Sequence, residues 1–413
     1  MGQGYVGLPL ATRAVERGFD VVGYDVDPMR VFLAQMGEAY IADVTNEQLA
    51  GALATGRFMP TNTSGNLADF DYAVIAVPTP LREGQPDLTQ LVRAVRTLAA
   101  HVRPGSTVIV ESTIHPGTTD EVLTPILEEG SGLKAGIDFA LGYSPERVDP
   151  GDPDHSIATI PKIVSGIDDE SRDAVDSFYR RLVDRTVPVS SMRVAELAKL
   201  MENTFRHVNI ALVNELTMLA HDLDVDIWDA VDAAATKPFG YMGFRPGPGV
   251  GGDRRATDPT HMSWNFRRPV GRPVRFVELA DDINSHMPDY VVGRLAASLN
   301  ERGEAVRGRR VLLLGLSYKP NTGDTRDSPS LRIASQLATA GAEVRIADPH
   351  VRYDDFPIGF ESVPASAEEV AAADVIVLVV DHDGFDYELV QNRGRFVLDC
   401  RHRLAPAPNV EFL

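Results

Sequence analysis

At 413 residues, 44% of them hydrophobic, the chain is too long for one ordinary core and reads as two or three globular domains. Its formal net charge of −19 argues against nucleic acid or an anionic membrane as partner. No apolar run approaches the ~20 residues of a bilayer span, no leader is expected at the start, and the single cysteine, Cys400, excludes a disulfide framework or thiolate zinc site and fits a reducing cytoplasm.

The first motif is GQGYVG, which puts Gly2, Gly4 and Gly7 in G-x-G-x-x-G spacing ahead of the helix-like LPLATRAVERG. A strand follows and ends at Asp25, eighteen residues after Gly7. Such glycines allow a tight turn and close approach of a pyrophosphate, here over Gly4 and Tyr5 with Val6 completing the turn. The helix N-terminus favours the phosphate charge, and the acid takes ribose hydroxyls. Asp25 favours NAD, since a 2′-phosphate would meet its charge, while the nearby Arg30 leaves NADP open. A glycine turn in another kind of βα unit is the alternative. The motif should follow a central strand, yet the numbering starts at Met1. Losing about five buried apolar side chains at ~1.5–3 kcal/mol each would cost as much as a domain's whole stability. Either upstream residues are missing from this numbering, for which a late start is the preferred explanation, or something else fills the slot.

Strand-like runs continue with YAVIAVPTP, STVIVEST and FALGYSPER, with the helix-like DLTQLVRAVRTLAAHV between the first two. This alternation predicts a parallel sheet with helices on both faces up to about residue 190. From Met192 to about Leu223 no glycine or proline interrupts apolar residues spaced three and four apart, which predicts one long helix. It is apolar over more than one stripe and is expected to lie between domains or subunits. A glycine-rich loop, PGPGVGGDRRATDP, then runs into two adjacent arginines. Alternation restarts with RRVLLLGLSYKP, AEVRIADPH, ADVIVLVVDHD and RFVLDC. The expected class is α/β: two Rossmann-like parallel-sheet domains joined by a long central helix. The expected boundaries are 1–191, 192–300 for a helical dimerisation region, and 301–413.

Through GYVGLPLA, AVPTP, ESTIHPGTT, YSPERVDPG, ENTFRHVNIALVNE, AATKPFG, RPGPGVGG, GLSYKPNTGDTRDSP and VDHDGF, nearly the whole chain resembles the UDP-glucose/GDP-mannose (nucleotide-sugar) 6-dehydrogenases. It is most similar to the branch acting on UDP-N-acetylhexosamines. That resemblance implies oxidation of a sugar primary alcohol to a carboxylate with two NAD per sugar, in a homodimer that binds a UDP-sugar. Lys199 and Asn203, four apart on one helix face, would stabilise an alkoxide as hydride leaves. The resemblance assigns Glu146 and Asp258 to water or proton handling and has Thr113 orient a water. Pro78 and Thr79 fall to the cofactor, and Arg147, Gly249, Gly251 and Gly252 to the sugar. Lys319 and Arg326 fall to the nucleotide, and Lys237 reaches the sugar, across a dimer in one version. Taken singly, Lys199 could be a solvated helix charge, Glu146 an ion-pair partner, Asp258 a turn-former before Pro259, and Lys319 and Arg326 surface charges.

The resemblance breaks at one point. In the family the glycine loop continues into His-Cys, whose thiolate captures the aldehyde; here those positions are Asp253 and Arg254. Guanidinium is not a nucleophile, and Arg254 is instead suited to a carboxylate. The first expectation is therefore an NAD-dependent nucleotide-sugar oxidoreductase altered in outcome, by a single hydride transfer or an internal redox epimerisation. A slow full 6-dehydrogenase and a silent nucleotide-sugar-binding paralogue are the alternatives. No metal is expected.

Overall fold

A computed structural model describes residues 1–41, 43–82, 85–148, 156–252, 274–352 and 356–413, which divide into two compact units, Met1–Glu202 and Asn203–Leu413. The first unit contains α1 (Gly7–Glu16), β1 (Val21–Tyr24), α2 (Pro28–Met36), α3 (Asn46–Ala54), β2 (Phe58–Thr61) and β3 (Tyr72–Ile75). A minimal hairpin, β4 (Leu81–Arg82) and β5 (Gln85–Pro86), precedes α4 (Thr89–Ala99) and β6 (Thr107–Val110). Then come α5 (Thr124–Ser131), β7 (Ala140–Tyr143), β8 (Lys162–Gly166), α6 (Asp169–Tyr179) and β9 (Thr186–Pro188). The long helix α7 (Met192–Asp222) starts in this unit and ends in the next.

Strands β3, β6, β7, β8 and β9 form one sheet in that order, while β1 and β2 pair separately. All these pairs are parallel except β7–β8, a reversal the alternating pattern does not announce. Among the described residues, Met1 and Gly2 lie between β1 and β3. Gly2 N donates to Tyr24 O at 2.8 Å, Met1 N to Val74 O at 2.7 Å, and Ala76 N to Met1 O at 2.9 Å. Those two residues occupy the place of the expected central strand. Counting them as the first strand gives the order three-two-one-four-five-six of a dinucleotide-binding sheet from β2 to β7, with β8 and β9 continuing beyond it.

The second unit contains α8 (Ile227–Ala235), α9 (Arg275–Glu301), β10 (Arg310–Leu314), α10 (Pro329–Thr339), β11 (Glu343–Ala347) and β12 (Glu361–Ser362). It ends with α11 (Ala367–Ala372), β13 (Val375–Leu378), α12 (Tyr387–Arg393), β14 (Val397–Asp399) and β15 (Val410–Phe412). Its sheet is wholly parallel in the order β12-β11-β10-β13-β14-β15, again three-two-one-four-five-six. Strands β10 and β13 are apolar nearly throughout because helices cover both faces: Val311, Leu313, Val375 and Val377 pack on one side, Leu312, Leu314, Ile376 and Leu378 on the other. The chain is thus α/β with two Rossmann-like parallel-sheet domains and a long central helix. Among the described residues no helix is long and apolar enough to cross a membrane.

Candidate functional site

The glycine motif enters α1 through a turn whose residues have little freedom. Gly2 has φ +84°, and a Cβ on Gly7 would lie 1.7 Å from the Gly2 carbonyl oxygen, so both positions need glycine. Above Gly4 a Cβ would meet only Arg30 Nη1, at 3.7 Å, which leaves room for a diphosphate at the helix N-terminus. Asp25 is buried just after β1. Its Oδ2 accepts from Gln3 N at 2.6 Å and its Oδ1 from Asp27 N at 2.9 Å, which aims the carboxylate at the turn. Arg30 lies 3.6 Å from Asp25 and 3.7 Å from Asp27, so its charge is drawn to two carboxylates and not held for a 2′-phosphate. Asp27 caps α2 through Met29 N at 2.8 Å, which places Arg30 one turn in. These residues fit NAD.

The loops after β3 and β6 are tied together. Thr79 Oγ1 donates to Thr113 O at 2.7 Å, and Ser112 Oγ donates to Val77 O at 2.8 Å while accepting from Val77 N at 3.0 Å. Thr79 is buried, Thr113 half-buried and Pro78 exposed. The Thr113 loop is fastened to α7 by Glu196, which accepts from Gly117 N at 2.6 Å, Thr119 N at 3.0 Å and Thr119 Oγ1 at 2.6 Å. Burial pushes the Glu196 carboxyl up to about 7, with the three hydrogen bonds opposing. Lys199 lies on the same face one turn later and is only 4% exposed. A solvated helix charge it is not.

Glu146 sits in a buried ionic cluster. Its Oε1 accepts from the Arg147 and Val148 amides at 2.7 and 2.6 Å, and its Oε2 lies 3.3 Å from Lys162 Nζ. Lys162 also pairs with Glu111 at 2.6 Å, and Tyr179 OH donates to the same Glu111 oxygen at 2.6 Å. Burial lifts Glu111 above the ordinary carboxylate range, with Lys162 opposing and Glu146 adding to the lift. Burial works against the Lys162 charge, but two carboxylates outweigh it and hold the ammonium on. Arg147 turns to α7, where its guanidinium reaches Glu202 at 2.6 Å and Pro161 O at 2.5 Å.

In the second unit Asn203 is buried and accepts from Arg206 Nη2 at 2.8 Å. A small cleft lined by Asn203, Arg206, His207, Ile210 and Val250 sets it beside the glycine loop. That loop's glycines face protein: a Cβ on Gly249 would lie 3.1 Å from Asn284 O, on Gly251 2.6 Å from Asp327 O, and on Gly252 2.9 Å from the Tyr318 ring. Gly252 N also donates to Arg326 O at 2.9 Å, so the loop after β10 lies directly on it. Lys319 on that loop is half-buried, and Arg326 is exposed with its guanidinium on Asp324 at 2.6 Å. Lys237 is exposed after α8, its Nζ 5.0 Å from the Phe239 ring. Asp253, Arg254, Arg255 and Asp258 lie outside the described residues.

Three family models match along the chain: the NAD binding domain of the UDP-glucose/GDP-mannose dehydrogenase family over residues 1–183, its central domain over 193–286 and its UDP binding domain over 312–406. The chain belongs to the UDP-glucose/GDP-mannose dehydrogenase family. Among its relatives, UDP-N-acetyl-D-mannosamine dehydrogenase of Pyrococcus horikoshii is 34% identical over 415 residues, covering 99% of this chain and 96% of that one. UDP-N-acetyl-D-glucosamine 6-dehydrogenase of Pseudomonas aeruginosa is 36% identical over 387 residues, covering 93% and 90%. The solved structure of the Pyrococcus horikoshii UDP-D-ManNAc dehydrogenase superposes with a TM-score of 0.89 at 33% identity, covering 100% of this chain and 97% of that one.

As a member of this dehydrogenase family the chain is an NAD-dependent oxidoreductase acting on a CH–OH group, and NAD is its cofactor. Its one thiol is no nucleophile: Cys400 is fully buried beyond β14, and burial pushes its pKa far up. Glu111, Lys162, Tyr179 and Glu196 are absent from the sequence reading. Glu196 alone carries a local signal, an acid one turn before Lys199 on the same helix face. The other three come together from separate elements.

Proposed function

We propose that this dehydrogenase removes a single hydride from the sugar of a UDP-linked N-acetylhexosamine or a related UDP-sugar, and does not complete the second oxidation to a carboxylate. The burial of Cys400 supports this, because the chain holds no other thiol to capture an aldehyde. NAD bound over Gly2, Gly4, Tyr5, Val6 and Gly7, with its ribose on Asp25 and Pro78, Thr79 and Thr113 alongside, supplies the hydride acceptor. Lys199 and Asn203 hold the sugar oxygen and stabilise negative charge as the C–H bond breaks. Asp258 and Glu146 manage the hydroxyl proton, and Thr113 orients water. Arg147, Lys237, Gly249, Gly251, Gly252 and Arg254 hold the sugar, and Lys319 and Arg326 the nucleotide. The segments 1–191, 192–300 and 301–413 serve as cofactor, helical and nucleotide domains of a cytoplasmic homodimer.

The test counts NADH formed per sugar consumed over a panel of UDP-, GDP- and dTDP-sugars. One NADH per sugar is expected, or sugar consumed with none if the hydride is returned. Two would establish the full 6-dehydrogenase, and no consumption despite binding would establish the silent binder. Lys199→Ala should lower turnover by roughly 10²-fold or more with nucleotide affinity nearly intact, the scale for deleting a charge stabiliser. Unchanged turnover would remove Lys199 from the reaction.

A further inference from the structure

The sheet of the second unit reverses direction of strand order between β10 and β13, and ligands of such sheets bind outside the carboxyl ends of the strands at that point. The loops there are 315–328 after β10 and 379–386 after β13. In a dinucleotide site the acid after the second strand takes the ribose. Asp348, just after β11, has that position here, but its side chain is 0% exposed. Its Oδ2 accepts from Leu316 N at 2.7 Å, Ser317 N at 3.0 Å and His382 Nε2 at 2.9 Å. Its Oδ1 accepts from His350 N at 2.8 Å and Val351 N at 3.1 Å. Five donors saturate the carboxylate, so it serves the loop and no ribose.

His382 completes the arrangement from the other side of the reversal. Its Nδ1 accepts the Asn321 amide proton at 3.0 Å, which puts the ring proton on Nε2, facing Asp348. Asn321 holds φ +58° and is tethered again from outside, its Nδ2 donating to Asp383 Oδ2 at 2.7 Å and its Oδ1 accepting from Asp383 N at 3.0 Å. Ser317 Oγ donates to Lys319 O at 2.8 Å. The loop is thus held at residues 316, 317, 319 and 321, and it carries the half-buried Lys319 and the exposed Arg326.

We propose that His382 and Asp348 are positioning residues that hold the loop 315–328 in the shape that receives the nucleoside diphosphate of the substrate. This rests on reading the second unit as the nucleotide-sugar domain. Without the pair the loop must be ordered at the moment of binding, a cost that appears in affinity and not in the hydride step.

Three variants test this, with free UDP as the probe. His382→Ala should weaken UDP binding and raise KM for the nucleotide-sugar by roughly tenfold or more, with kcat and KM for NAD changed less than about twofold. His382→Gln, whose amide can accept from Asn321 and donate to Asp348, should restore most of the affinity. Asp383→Ala removes the tether at the surface without opening the core, and should weaken UDP binding in the same direction by a smaller factor. Hydrogen exchange of the 316–323 amides should quicken in His382→Ala before any ligand is added. Unchanged UDP affinity beside faster exchange would overturn the positioning role, as would a fall in kcat at constant KM. If the wild-type chain binds NAD but no UDP, the nucleotide-sugar reading fails and takes this role with it.

Discussion

Glu196 concentrates several constraints in one side chain: it is buried on α7, accepts three hydrogen bonds from the Thr113 loop, and stands one turn from Lys199. Its carboxyl is lifted from 4.5 to about 7, mainly by burial. The folded chain therefore keeps this proton after the unfolded chain has lost it. The stabilisation is complete below about pH 4.5 and is lost as the pH rises through about 7. Glu196→Gln stays neutral throughout, so relative to wild type it should gain roughly 2–3 kcal/mol between pH 5 and pH 8. Urea unfolding of both proteins at the two pH values measures that difference. Parallel pH profiles would mean that Glu196 does not carry the proton. The identity of Glu196 is visible in AELAKLMEN, but its partners lie 77 and 79 positions away, and no local pattern names them.

The element that reads best from sequence is α7. Its lack of glycine and proline and its repeated apolar spacing predict Met192 to about Leu223, against the observed Met192–Asp222. The multiple apolar stripes also have a consequence. Ala195, Leu200, Ala211, Val213 and Ala220 are buried within the chain, yet Met201, Phe205, Leu212, Leu216 and Leu219 remain 43–59% exposed. Their spacing of three, four and seven makes a second apolar face, and exposed Phe276 and Leu279 on α9 add to the apolar surface of this unit. A homodimer through that face is the reading we favour. Each leucine covered would contribute ~1.5–3 kcal/mol. Leu216→Glu with Leu219→Glu should therefore convert a dimer to a folded monomer in sedimentation velocity. A wild-type monomer at micromolar concentration, or a double variant of undiminished mass, would end the proposal.

Across the whole molecule the same strand order serves twice with different use of the acid after the second strand. Asp25 accepts two amides beside an open turn, whereas Asp348 is consumed by five donors. We propose that Arg254, which follows the glycine loop in the sequence, bears on which sugar the protein turns over. An arginine guanidinium suits a carboxylate, which it binds as a two-toothed fork. A UDP-uronate should then bind more tightly than its matching UDP-hexose by ~1.5–3 kcal/mol, and Arg254→Ala should abolish the preference. Calorimetry on both proteins with both ligands measures it; equal wild-type affinities would remove the carboxylate role and leave a sidechain turned to solvent.

The amino-acid sequence by itself determined the α/β class, the glycine turn with its acid and the long helix, because each depends on spacing or periodicity within one stretch of chain, and its ordered motifs carried the resemblance to the family. It also established that only one thiol exists. The apolar run RFVLDC predicts a buried structural thiol at Cys400, which the structure bears out, whereas tertiary structure alone decided that Lys199 is buried and not solvated, and that Glu146 shares Lys162 with Glu111. It alone joined His382 to Asp348, 34 residues away. The physical reason is common to all of these. A buried charge must find its partner in space, and which strands and loops bring one within reach is settled by the order of strands in the sheet, not by distance along the chain.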